Sequence, residues 1–238
     1  MSRLSRSLAI LTLLVSGLIL FAVPRWSQNP DYHNFADQAV VFGIPHFFDV
    51  TSNLPFILIG FWGWWKSRVH SVETRGLWSV FAISVLLTGL GSIWYHLNPN
   101  HDTLLWDRLP MSVGFVAFFL LVAHRYLGEP WIDKIKAGAL ILAPATVLWW
   151  WTSEKMGQGD LRPYALIQAL PLVLVLVIIS VRKGDASDRR SIVTAVLIYA
   201  VAKVFEFNDG AIHATNGYIS GHTIKHLLAG YSCWLLLR

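Results

Sequence analysis

Two histidines, His222 and His226, stand four residues apart in the string GHTIKHLLAG. On a helix of about 3.6 residues per turn, positions i and i+4 share one face a turn apart, so a single helix can offer both imidazoles to one ion. The zinc-binding HExxH arrangement uses the same spacing. A third histidine, His96, closes the apolar run of GLGSIWYH. Three neutral imidazoles plus a water form a common catalytic zinc set with one position open for chemistry. Zinc lowers the pKa of that water toward about 7 and polarises a carbonyl. Histidines hydrogen-bonded between helices in an apolar core have the same spacing, and HxxxH alone does not separate the two readings.

Two neighbours add chemistry. Ser92 precedes His96 by four residues, one turn deeper on the same face, where its hydroxyl can donate to a developing oxyanion. Asp107 follows the polar turn NPNHDT and opens the next helix in WDRLPM. An antiparallel hairpin returns Asp107 to the depth of His96, where a carboxylate can act as general base and then acid. Each has a plainer reading, a hydroxyl bonding its own helix for Ser92 and an N-cap for Asp107. His33, His70, His101, His124 and His213 fall in loops or at helix ends and read as surface histidines, while His46 opens a helix and stays ambiguous.

The elements that must position these groups are membrane helices. Of 238 residues, 55% are hydrophobic and 14% charged, where a soluble domain carries about a quarter charged residues. Eight segments approach or reach the roughly 20 apolar residues that cross a bilayer: Leu8–Val23, His46–Trp65, Leu77–His96, Leu109–Arg125, Ala137–Trp151, Tyr164–Val181, Ile192–Phe207 and His222–Leu237. Backbone groups in lipid must be satisfied within each segment, so all eight are expected as helices, with Pro55, Pro110, Pro144 and Pro171 bending some of them. No polar stretch is long enough for a second, soluble domain, and residues 1–238 read as one transmembrane domain.

Lysines and arginines orient the bundle. With the N-terminus inside, the inner loops receive Arg3, Arg6, Lys66, Arg68, Arg75, Arg125, Lys134, Lys136, Arg182, Lys183, Arg189, Arg190 and Arg238, against only Arg25, Arg108, Lys155 and Arg162 outside. Both termini are then cytoplasmic, and the three histidines share the outer leaflet. The +5 formal charge belongs to this topology and not to nucleic acid. Tryptophans at 62, 64 and 65, and again at 149 to 151, mark the two interfaces. Residues 1–25 read as a retained additional helix or uncleaved signal anchor, since the run is long for a signal h-region and no small-x-small site precedes Pro24. Cys233 lies in the last apolar run and reads as an inert core residue.

The string Ser92-xxx-His96, Asp107 within DRLPM, and the late His222-xxx-His226 resemble the alkaline ceramidases, of the superfamily of membrane hydrolases that includes the adiponectin receptors. FDVTSNLPFILIG is similar to the first helix shared by that family, and the likeness runs from about Asp31 to the end. The resemblance implies an all-α polytopic bundle, with a seven-helix core over 31–238 and the first helix as an addition. It implies zinc on His96, His222 and His226, Ser92 as oxyanion stabiliser and Asp107 as the residue that activates water. Some members bind calcium before that first shared helix. Here Asp31, Asn34 and Asp37 offer oxygens, but the family's glutamate at the helix entrance is His46, and solvated loop residues are the preferred reading.

Lys203, Glu206 and Asp209 recur at three-residue spacing and read as an ion-pair cluster or as support for the metal ligands. Lys225 is expected to snorkel outward. The expected reaction is zinc-dependent hydrolysis of the amide of a ceramide-like N-acyl lipid drawn from the bilayer, with no protein partner. Short loops and the added helix favour a bacterial inner membrane. The alternative is a metal-containing receptor or haem-binding bundle, which leaves Ser92 and Asp107 without work.

Overall fold

The computed structural model describes residues 1–238. Ten α-helices follow one another: α1 (Arg3–Ala22), α2 (Phe47–Thr51), α3 (Leu54–Lys66), α4 (Val72–Leu97), α5 (His101–Leu127), α6 (Trp131–Lys155), α7 (Arg162–Val181), α8 (Ala186–Phe207), α9 (Asp209–Asn216) and α10 (Gly221–Leu237). There is no strand, only a lone bridge between Val41 and Ile44. The protein is an all-α membrane bundle. Helices α1, α4, α5, α6 and α7 are long and apolar enough to cross a membrane, and α8 joins them if counted with α9. Leu13, Leu58 and Ile141 present exposed apolar side chains, as lipid-facing residues do.

The eight expected segments are reshaped at three places. The second segment is split: Ser52 and Asn53 interrupt it, and Pro55 falls in the first turn of α3 instead of inside a helix, where its missing N–H costs nothing. That leaves α3 with 13 residues. The seventh segment runs on past a 74° bend into α9. The last helix, α10, has 17 residues, at the short end of the length that spans a bilayer core. Pro110, Pro144 and Pro171 do lie inside α5, α6 and α7.

A further correction concerns α5, which begins at His101 and not near Leu109. Asn100 caps it: Oδ1 accepts from the N–H of Asp102 (2.9 Å) and Thr103 (3.0 Å), while the Asn100 N–H donates to Thr103 Oγ1 (3.2 Å). This reciprocal box satisfies donors that open every helix. Asp107 is therefore inside the helix and caps nothing.

Two glycines let helices touch beside the candidate site. A Cβ on Gly91 would lie 2.2 Å from the Trp106 carbonyl oxygen, and one on Gly221 would lie 2.2 Å from that of Phe205. The first closes α4 on α5 where Ser92 and Asp107 sit. The second closes α10 on α8 beside His222. Gly91→Ala is expected to lower stability by about 1–3 kcal/mol through overpacking, read as a lower midpoint of thermal unfolding in detergent. An unchanged midpoint would show that the two helices have room for a methyl group there.

The bundle has two distinct ends. At one, the Ser2 N–H and the Ser5 hydroxyl donate to Glu129 (2.9 and 2.6 Å), and Arg125 pairs with Asp188 at 2.6 Å. Hydrogen bonds from Ser2 and then Ser5 hold the Glu129 carboxyl down at about 2. At the other end Lys155 pairs with Asp102 at 2.7 Å, and the Leu161 N–H donates to the Trp26 carbonyl at 3.0 Å. The histidines of interest belong to this second end.

Candidate metal centre

His96, His222 and His226 converge. Their ring centroids are 4.8 Å (His96 to His222), 5.0 Å (His96 to His226) and 4.7 Å (His222 to His226) apart, and one nitrogen from each lies within 4.8 Å of the others. All three are buried, His96 completely. Phe35, from the loop before α2, packs on His96 and His222 with centroid distances of 4.4 and 4.5 Å.

The hydrogen-bond pattern decides what these rings are free to do. Both nitrogens of His96 and Nε2 of His226 are buried without a protein partner. Buried polar groups in folded proteins are almost always paired, so three orphan nitrogens in one cluster speak against the reading of core histidines bonded to one another. The opposite nitrogen of His226 is held. Ser52 Oγ lies 2.8 Å from His226 Nδ1 and itself donates to the Asp49 carbonyl at 3.0 Å. With its proton spent on Asp49, Ser52 accepts from Nδ1–H, an assignment that leaves the Nε2 lone pair pointing at the cluster. Metal-bound histidines are oriented in this way through their second nitrogen. His222 Nε2 accepts from Lys225 Nζ at 3.0 Å, so metal loading through that nitrogen exchanges one cation for another. A donor set of three imidazoles fits zinc.

A frame of carboxylates surrounds the rings. Asp49 Oδ1 accepts from Ser220 Oγ (2.9 Å) and Thr223 Oγ1 (2.6 Å), which seats the first turn of α10 on α2. Asp209, at the break between α8 and α9, accepts from the backbone N–H of His222 through Oδ1 (2.8 Å) and of Ala36 through Oδ2 (2.9 Å). Asp37 is fully buried, and its carboxylate accepts from the N–H of Ala39 and Asp49. It is thus a backbone brace and not one of the solvated loop residues. Asp31, by contrast, is exposed and accepts from Asn34 at 3.2 Å.

Ser92 and Asp107 are both buried, at 3% and 9% exposure. They line, with His226, a cavity of about 500 Å³ that runs from this end of the bundle into its apolar interior. The same wall carries Lys203, Glu206 and Lys225. Glu206 pairs with Lys203 and, at 3.3 Å, with Lys225. The expectation for Lys225 is corrected: it is drawn inward by Glu206 and His222, which offer a buried ammonium better partners than snorkelling would. Asp209 stands apart from the lysines and braces the backbone of His222.

Of the histidines read as surface residues, two form a pair. His33 Nε2 and His101 Nδ1 are 2.6 Å apart, and His33 Nδ1 is 2.8 Å from Tyr95 Oη. Burial, then His101 and Arg108, push the His33 imidazole down to about 4, so His33 is neutral at ordinary pH. His46, left open by the sequence, adopts a left-handed backbone (φ 47°) and bonds the Asp37 carbonyl. Sequence reasoning assigned no role to Asp49, Ser52, Asn53 or Phe35. The polar cluster inside FDVTSN was the available signal, because four polar groups in an apolar segment need partners.

Fold and site together define a class: an all-helical, multi-pass membrane bundle that gathers three buried imidazoles at one end beside a deep, mostly apolar cavity. The family model for ceramidases matches residues 36–237, and the chain belongs to that family. A similar protein is "Putative alkaline ceramidase dcd3A" of Dictyostelium discoideum, 23% identical over 216 residues that cover 82% of this chain and 69% of that protein. The match to the family begins after α1, which leans on α7 through Arg162 Nη1, a donor to the carbonyls of Leu20 (2.9 Å) and Val23 (2.6 Å).

Proposed function

We propose that the protein is a zinc-dependent hydrolase that cleaves the amide bond of a ceramide-like N-acyl lipid, giving a fatty acid and a long-chain amine. The observation that carries this reading is the convergence of three imidazoles whose nitrogens lie within 4.8 Å of one another, with both nitrogens of His96 and Nε2 of His226 buried without a partner, on a cavity whose wall also holds Ser92 and Asp107. Membership of the ceramidase family supports amide hydrolysis in particular.

His96, His222 and His226 would hold the metal, which would supply Lewis acidity there. Asp107 takes a proton from the attacking water and returns it to the nitrogen of the leaving amine, so that the proton count closes over the cycle. Ser92 Oγ–H donates to the acyl oxygen as charge builds there. Gly91 keeps Ser92 and Asp107 together by letting α4 press on the Trp106 backbone. Phe35 excludes water from the imidazoles, and the apolar depth of the cavity takes the hydrocarbon chains. Residues 1–25 add a helix to a seven-helix core. The distribution of lysine and arginine favours cytoplasmic termini and a site toward the outer leaflet of a bacterial inner membrane, the depth of a lipid amide.

The test measures zinc per chain in the purified protein together with fatty-acid release from a panel of N-acyl lipids. About one zinc per chain, no visible chromophore and release of fatty acid from at least one lipid is the expected result. Metal-replete, folded protein that releases nothing from any lipid would favour the receptor; an absorption band in the visible would favour haem.

A further inference from the structure

The protein has two buried arginines near the site end, and they differ in a telling way. Arg162, 7% exposed, is saturated: Nε and Nη2 donate to the Asp160 carboxylate (2.7 and 2.9 Å), and Nη1 donates to two backbone carbonyls. That is how a structural guanidinium is held. Arg108, 6% exposed, has no carboxylate: it belongs to none of the ion pairs of the protein. Its Nη2 donates to Gln28 Oε1 at 2.5 Å, and its Nη1 is buried without a partner. The guanidinium is stacked by Trp150 (4.2 Å), Tyr164 (4.9 Å) and Tyr32 (5.5 Å). Aromatic faces attract the charge, but they fix the plane of the group without accepting its in-plane N–H donors.

Arg108 lines the same cavity as its neighbour Asp107. Among the ionic residues on that wall, the cations Arg108, Lys203 and Lys225 outnumber the carboxylates Asp107 and Glu206, and Glu206 is spent on the two lysines. The cavity therefore offers an acidic ligand a preorientated, dehydrated guanidinium fork one residue from the proposed base. Guanidinium forks match planar or tetrahedral oxyanions.

We propose that Arg108 receives an acidic group on the amine side of the lipid, so that the substrate is an N-acyl lipid bearing a carboxylate, phosphate or sulfonate a few bonds from the scissile amide. This rests on the amidase reading above and narrows it. The anion docks on Arg108, the acyl chain runs into the apolar depth, and the amide falls between Asp107 and the imidazoles. A neutral N-acyl lipid leaves the guanidinium unpaired and loses that contribution.

The experiment uses the full-length, zinc-loaded protein in detergent. It compares kcat/KM for a sulfonated ceramide, a phosphorylated ceramide and neutral ceramide of equal acyl length, in wild type, Arg108→Gln and Arg108→Lys. Binding of a non-hydrolysable acidic analogue, with the amide nitrogen replaced by methylene, and of the free fatty acid is measured alongside. Wild type is expected to favour one acidic lipid over neutral ceramide by about tenfold or more. Arg108→Gln is expected to cut that preference by about tenfold, mostly through KM, with Arg108→Lys between the two. Equal zinc content reports intact folding. A wild-type preference for neutral ceramide, a Gln variant that lowers all lipids in the same ratio, or equal weakening of free fatty acid and acidic analogue overturns the proposal. If no lipid turns over at all, the amidase reading falls, and the binding arm still decides: Arg108-dependent capture of the acidic analogue upholds the anion site, and Arg108-independent capture removes it.

Discussion

Replacing His96 with alanine is expected to strip zinc from the purified protein and to lower amide turnover by about a thousandfold or more. His96 is the one imidazole that α4 contributes; the other two come from a single turn of α10. Its loss leaves a pair of ligands on one helix, too few to close a tetrahedral site. The vacated volume lies against Phe35, Tyr95 and the other two rings, and the Tyr95 hydroxyl is already bonded to His33 Nδ1 at 2.8 Å. His124→Ala, in the last turn of α5 at the opposite end of the bundle, is expected to keep its zinc and its rate. Metal analysis of both variants, with helicity checked by circular dichroism, separates ligand loss from unfolding. Stoichiometric zinc in folded His96→Ala would remove the metal centre from consideration.

Asp107→Asn is expected to behave in the opposite way with respect to metal. The amide is isosteric with the carboxylate and keeps the side chain beside Ser92, so zinc content stays at the wild-type level. Turnover falls by about a hundred- to ten-thousandfold, because asparagine can neither take the proton from water nor give it to the amine. The loss belongs in kcat, with KM little changed, since Asp107 acts on the reacting atoms and not on the lipid chains. A normal rate in zinc-replete Asp107→Asn would mean that the base is another group, and Glu206 is the other carboxylate on the cavity wall.

Much of this arrangement was legible in the residues, and the limits have physical causes. The spacing of His222 and His226 fixes a shared face whatever the fold does, because helical periodicity is local. Their convergence with His96 depends on α4 and α10 both packing on α3, which no local signal encodes. It was inferred from equal depth in the membrane, a constraint that soluble proteins lack. Helix ends were read less well. The polar run before Asp107 looked like a turn, yet Asn100 and Thr103 cap one another and draw His101 into α5. An apolar window could not show that Ser52 and Asn53 leave the helix in order to face His226. Lys225 was misjudged for a similar reason: an isolated lysine near a helix end snorkels, and only the packing of α8 against α10 reveals the waiting carboxylate of Glu206.

The carboxylate of Asp209 joins parts of the chain that otherwise have no reason to move together. One oxygen holds the His222 amide and the other holds Ala36, the residue after the phenyl ring that covers the imidazoles. Uncovering the cluster by swinging that loop away costs the Ala36 bond and loosens the same group that seats a ligand-bearing helix. Thermodynamic reciprocity then runs both ways: whatever tightens the grip of α10 on an ion also fastens the cover, and whatever pries the cover open weakens the hold on the ion.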